Sequence, residues 1–174
     1  MNRRVLDDLL HELSRITDER ELVMVGSQSI HAVTNDVPIE VVMSRECDLL
    51  LDESDSLTGV IDEGFGPDSP RAAETAVYVD TVSSTFPFLP AGWEQRLVPL
   101  APDLPHIRCL EIHDLVLSKL VAGPLKDYEL IAVLLDRKLA DVGTVRDRIV
   151  AVPDLHMRAI LAARLQIVLE SAAR

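Results

Sequence analysis

Aromatic side chains are nearly absent from this chain: one Trp, two Tyr and three Phe among 174 residues. A hydrophobic core must therefore be filled by aliphatic side chains. Cysteine is as scarce. Cys47 and Cys109 stand alone in apolar surroundings, too few for a disulfide framework and with no CxxC or histidine spacing that would suggest zinc. No apolar run approaches the length of a membrane span. The opening "MNRRVLDDLLHEL" is broken by charges every few residues, which is the pattern of an amphipathic helix and not of a secretory leader. Basic residues are also in deficit. A net charge of −12 argues against broad nucleic-acid binding, which rests on a basic face. These absences leave a cytoplasmic protein of one domain, or one domain with an appended subdomain.

The acids that are present are unevenly placed. Residues 40–80 carry eleven acids against two arginines, whereas from residue 135 onward seven Lys/Arg face five acids. An acidic half beside a mildly basic helical half suits a cation-dependent phosphate site, and it equally suits an acidic solubilising surface. Apolar residues at helical spacing (Val5, Leu6, Leu9, Leu10, Leu13, Ile16) predict a helix over 3–17. Strands are expected at 22–26, 47–51 and 75–82, with a helix beginning at 27–34 and a loop around Asp36 and Pro38. "LPAGWEQRLVPL" (89–100) has turn chemistry followed by a short strand. Helices are predicted at 113–122, 127–138, 141–150 and 154–172. Strands in front and helices behind imply an α/β protein. The expected organisation is a mixed sheet flanked by helices over 1–105, with a helical C-terminal subdomain, 106–174, packed on it.

Three stretches carry chemistry. "MVGSQSI" (24–30) runs a strand through Gly26-Ser27 into a helix, offering backbone N–H groups and a hydroxyl where anions bind; the plainer reading makes Ser27 a helix cap. "SRECDLLLD" (44–52) sets Glu46 and Asp48 two residues apart, hence on one face of a strand where they can share a hard divalent cation. The alternative pairs them with Arg45 or Arg71. Cys47 between them should face the core. "TAVYVDTV" (75–82) adds Asp80. Asp52, four residues beyond Asp48, would lie about 13 Å away along a strand, too far to share an ion, whereas an adjacent strand runs at about 4.8 Å. Asp80 is therefore the expected third acid. Lys119, among Leu117, Leu120 and Val121, should pack its stem in the core with its ammonium at a pocket mouth.

The blocks "GSQSI", "SRECDL", "ETAVYVDTV", "LPAGWEQRLVPL" and "CLEIHDLVLSKLVAGPLKD" together resemble the nucleotidyltransferase superfamily with the polymerase-beta-like fold. Its signature is Gly-Ser, a spacer, and two acids one residue apart. Within it, the chain is similar to a bacterial branch related to abortive-infection and toxin-type nucleotidyltransferases. The resemblance implies a transferase that moves a nucleotide from a nucleoside triphosphate to a hydroxyl of RNA or protein, with an antitoxin as a partner and no membrane association. It implies Mg²⁺ or Mn²⁺ held by the catalytic acids Glu46, Asp48 and Asp80. Gly26, Ser27, Lys119, Lys126 and Asp127 would bind the nucleotide. Two departures stand out: Glu46 occupies a position usually held by Asp, and "AGPLKD" has Pro124 where relatives carry an arginine able to clamp phosphate. A catalytically degenerate member that binds nucleotide or a protein partner is the alternative this leaves open, and a purely structural or antitoxin-like protein is a third.

Overall fold

A computed structural model describes residues 1–83, 85, 88–123 and 125–172. Among these the chain forms eight α-helices and a five-stranded mixed sheet, so the α/β class expected from the pattern holds. It divides into two compact units: Met1–Pro87 with Leu97–Leu110, and Phe88–Arg96 with Glu111–Arg174.

The first unit contains the sheet. Helix α1 (Arg3–Ile16) starts where the Asn2 side chain accepts from the Val5 N–H, and it buries Leu6, Leu9, Leu10 and Leu13. That spacing is one helical face, and each buried leucine contributes about 1.5–3 kcal/mol of transfer free energy. Strand β1 (Leu22–Met24) lies at the centre of the sheet. Then come a 3₁₀ turn (Ser27–Ala32), helix α2 (Ile39–Met43) and strand β2 (Glu46–Leu50). Helices α3 (Ser56–Phe65) and α4 (Pro70–Thr75) lead to β3 (Tyr78–Val82); β4 (Val98–Pro99) and β5 (Ile107–Cys109) complete the sheet. The strand order is β3-β2-β1-β5-β4. β2 runs antiparallel to β1 and parallel to β3; β5 is parallel to β1 and antiparallel to β4. The core joins α1 to the inner face of the sheet through Met24, Cys47, Leu49, Val79 and Ile107, and Phe65 is its one aromatic contribution among the described residues.

Two differences from the sequence pattern have local causes. The stretch expected to begin a helix at Ser27 closes as a 3₁₀ turn, because the Ser29 hydroxyl donates back to the Met24 carbonyl at 2.8 Å and Gln28 reaches the Val41 carbonyl at 3.2 Å. Such side-chain bonds compete with the α-helical ladder. The segment between β2 and β3, for which the pattern gave no element, holds α3 and α4, each opened by a short side chain: Asp55 accepts from Leu57 N–H and Ser69 from Ala72 N–H.

The second unit packs α5 (Ile112–Ala122), α6 (Leu125–Asp136), α7 (Val142–Val150) and α8 (Leu155–Ala172), close to the predicted spans. Leu115, Val116, Leu117, Leu120, Ile131, Leu134, Val145, Leu161 and Val168 are buried in it. Gly123 ends α5 with φ +75°, a conformation that favours glycine. Arg164 closes the same end by donating to the Leu120 and Val121 carbonyls, both at 2.6 Å. Pro124, the departure noted in the motif, lies outside the described residues.

Candidate functional site

The antiparallel pairing of β1 with β2 brings Gly26 against Asp48. Met24 pairs with Leu49, and the Val25 N–H donates to the Asp48 carbonyl at 3.0 Å. Gly26 itself has an extended backbone, φ −88° and ψ −163°, which any residue adopts. Its lack of a side chain is a matter of space. A Cβ built there would sit 1.5 Å from Asp48 Oδ2 and 2.4 Å from Cγ, so the carboxylate occupies the volume a side chain would need. Ser27 is the first residue of the turn and not its cap; Gly26 fills the cap position without a side-chain bond.

Parallel pairing of β2 with β3 brings in the third acid. Asp48 is directly opposite Asp80 and Glu46 opposite Tyr78. Residues paired in register share a face, so Glu46, Asp48, Tyr78 and Asp80 project together while Cys47, Leu49 and Val79 are buried on the other side. Cys47 points into the core as its position between two acids requires, and burial pushes its thiol far above the usual range. The arginines weighed as surface partners are turned elsewhere: Arg45 to the Ala76 carbonyl at 2.7 Å, Arg71 to Glu12 at 2.6 Å. Strand β2 ends at Leu50, and Asp52 beyond it accepts from Ser83 at 3.1 Å.

Electrostatics mark this face as anionic. Partial loss of water, then the charges of Glu46 and Asp62, raise the pKa of Asp80 above the ordinary carboxyl value. The Tyr78 hydroxyl donates to Glu46 Oε2 at 3.2 Å. Loss of water, followed by the charge of Glu46, lifts the phenol above its usual pKa, so at neutral pH it is a donor. Sequence reasoning missed Tyr78 and Asp62. Tyr78 had a signal, since it is two residues from Asp80 on a strand. Asp62 had none: it comes from α3 and accepts from the Thr81 hydroxyl at 2.7 Å.

Among the described residues, no three Asp, Glu, His or Cys side chains converge as a ready-made metal cluster. The donor set nonetheless fits a hard divalent cation: carboxylate oxygens from adjacent strands, one of them seated in space kept clear by a glycine. The Glu46 carboxylate is engaged at one oxygen by the Tyr78 hydroxyl.

The helical candidates belong to the second unit. Lys119 Nζ bonds Asp127 Oδ1 at 2.8 Å, and Asp127 is only 7 % exposed, so the lysine expected to present a free ammonium is instead the counter-ion of a buried acid. Lys126 is exposed in the first turn of α6. The conspicuous "GWEQR" and "EIHD" motifs have a structural explanation. Asp114, fully buried, accepts from Arg96 Nε at 2.7 Å and from Arg148, which also reaches Glu111 at 3.2 Å. Arg96 ties the Pro90–Trp93 turn into this network through the Ala91 carbonyl at 3.1 Å. Asp141 N–H donates to His113 Nε2, leaving Nδ1 to donate to Glu111. His113 is thus a residue of the helix start, in the first turn of α5.

A sequence model of the family described as nucleotidyltransferase of unknown function (DUF6036) matches residues 4–165. The chain belongs to that family. The match spans both units, from α1 into α8, so the helical half is part of what defines the family. Neither a curated protein nor a solved structure matches the chain. Among the described residues no helix is long and apolar enough to cross a membrane.

Proposed function

We propose that this nucleotidyltransferase-family protein is a cytoplasmic, metal-dependent enzyme of the polymerase-beta-like superfamily. It would transfer a nucleotide from a nucleoside triphosphate to a hydroxyl of RNA or protein, as the toxin half of a toxin–antitoxin pair. The observation that supports this most is the seating of Asp48 in the space left by Gly26, directly in register with Asp80. Asp48, Glu46 and Asp80 would hold Mg²⁺ or Mn²⁺. Bound there, a divalent ion supplies charge stabilisation for the attacking and leaving oxygens and acidifies the attacking hydroxyl. Asp80, in register with Asp48, is the acid that would take the proton from that hydroxyl. The Gly26-Ser27 turn would offer its backbone N–H groups and the Ser27 hydroxyl to phosphate. In the second unit, Lys119 spends one of its three N–H donors on Asp127.

A second reading, nucleotide or partner binding without catalysis, draws on the same Lys119–Asp127 pair, which satisfies both groups without a ligand. Incubation with each of four α-labelled triphosphates, total RNA and total protein separates the two. Mg²⁺-dependent label in either acceptor, lost in Asp48→Asn and Asp80→Asn, supports the enzyme. Nucleotide binding without transfer supports the second reading, and transfer that survives both substitutions overturns the site.

A further inference from the structure

We infer that Tyr78 is a positioning residue for the cation site, acting by holding the Glu46 carboxylate in a fixed orientation through the hydrogen bond from its hydroxyl to Oε2.

The inference rests on the metal-site reading above. It begins from register: Tyr78 is the residue paired with Glu46 across β2 and β3, two pairs along from Asp48 and Asp80 and on the same face. Pairing places the two Cα atoms opposite each other on one face, within reach of the 3.2 Å bond from the phenol to the carboxylate. Glutamate has one more rotatable bond than aspartate, so its carboxylate has more orientations to lose when it binds an ion. A donor that engages one oxygen removes part of that freedom in advance and leaves the other oxygen unengaged by Tyr78. Partners of this kind, bonded to a ligating group and not to the metal, typically change metal affinity by 10–100-fold. Phenylalanine at 78 keeps the ring and loses only the donor, so a structural role for Tyr78 would survive the substitution.

The test is Mn²⁺ titration of the full chain by electron paramagnetic resonance, with thermal unfolding measured alongside. Wild type should bind Mn²⁺. Tyr78→Phe should bind it at least tenfold more weakly with an unchanged melting temperature, and in a Glu46→Ala background the same substitution should have no further effect. Equal Mn²⁺ affinity in wild type and Tyr78→Phe overturns the inference and leaves the metal site standing. A tenfold loss that persists in Glu46→Ala also overturns it, because the phenol would then act through something other than Glu46. Failure of the wild type to bind Mn²⁺ overturns both this inference and the reading on which it rests.

Discussion

Replacing Gly26 by alanine perturbs one interaction and little else. The backbone at Gly26, φ −88° and ψ −163°, accepts alanine without strain. A stiffer unfolded chain would by itself stabilise the variant by about 0.4–1 kcal/mol. Against that, the new Cβ would lie 1.5 Å from Asp48 Oδ2, 2.4 Å from Cγ and 3.0 Å from Cβ. No small shift relieves so deep an overlap, so the Asp48 side chain must leave its position, at a cost of about 1–3 kcal/mol for a crowded site. The net expectation is a loss of about 1 kcal/mol, or a melting temperature about 2–4 °C lower for a chain this size. Function should suffer far more than stability, because the carboxylate displaced is the one central to the site. Urea denaturation and Mn²⁺ titration of Gly26→Ala, Asp48→Ala and the double variant form the assay. Stability lost in Gly26→Ala should largely return in the Asp48→Ala background, with the two effects on Mn²⁺ affinity non-additive. If Gly26→Ala binds Mn²⁺ as wild type does, or its stability cost is undiminished without the Asp48 carboxylate, the steric argument is refuted.

Three further outcomes are expected. Asp80 has a folded-state pKa above its unfolded value, so its ionisation favours unfolding: stability is fully present below the ordinary carboxyl range and declines as pH rises through the raised pKa. Asp80→Asn should therefore melt higher than wild type at pH 7 and converge with it in acid, as followed by thermal scans across pH. Lys119→Met leaves Asp127 buried without its counter-ion and should cost about 3 kcal/mol, recovered in part by adding Asp127→Leu; a loss below about 1 kcal/mol would show that only the stem matters. Asp114→Ala strands Arg96 and Arg148 and should destabilise by about 3–5 kcal/mol in denaturant titrations, whereas a catalytic role for Asp114 would abolish transfer with the fold intact.

Periodicity revealed most of the fold because long elements carry many repeats of their pattern. The C-terminal helices and α1 were legible within a few residues. Three short elements were not: α2, α4 and β5 are three to six residues long, too few to show a period, and the ten-residue α3 was missed as well. Within the site, the face shared by Glu46 and Asp48 followed from strand alternation, and Asp80 from the distance argument against Asp52. Three-dimensional placement supplied what spacing cannot. Nothing in the sequence shows that Gly26 is small because Asp48 fills its side-chain volume. The pairing of Lys119 with Asp127 joins residues eight apart on two different helices, beyond any single-helix rule. The resemblance drew in part on "LPAGWEQRLVPL" and "CLEIHDLVLSKLVAGPLKD", yet the structure ties Arg96 of the first to Asp114 of the second. Motif specificity and catalytic role are different properties, and here a buried ion network accounts for the first.

The central claim is that Asp48, seated over Gly26, holds a divalent ion together with a nucleoside triphosphate. Mn²⁺ binding to wild type and Asp48→Asn, with and without a non-hydrolysable triphosphate, tests it most directly. The account predicts that the triphosphate tightens Mn²⁺ binding in wild type and that Asp48→Asn weakens it at least tenfold, about 1.4 kcal/mol. Mn²⁺ affinity indifferent to the triphosphate, or equal in the two proteins, would contradict it.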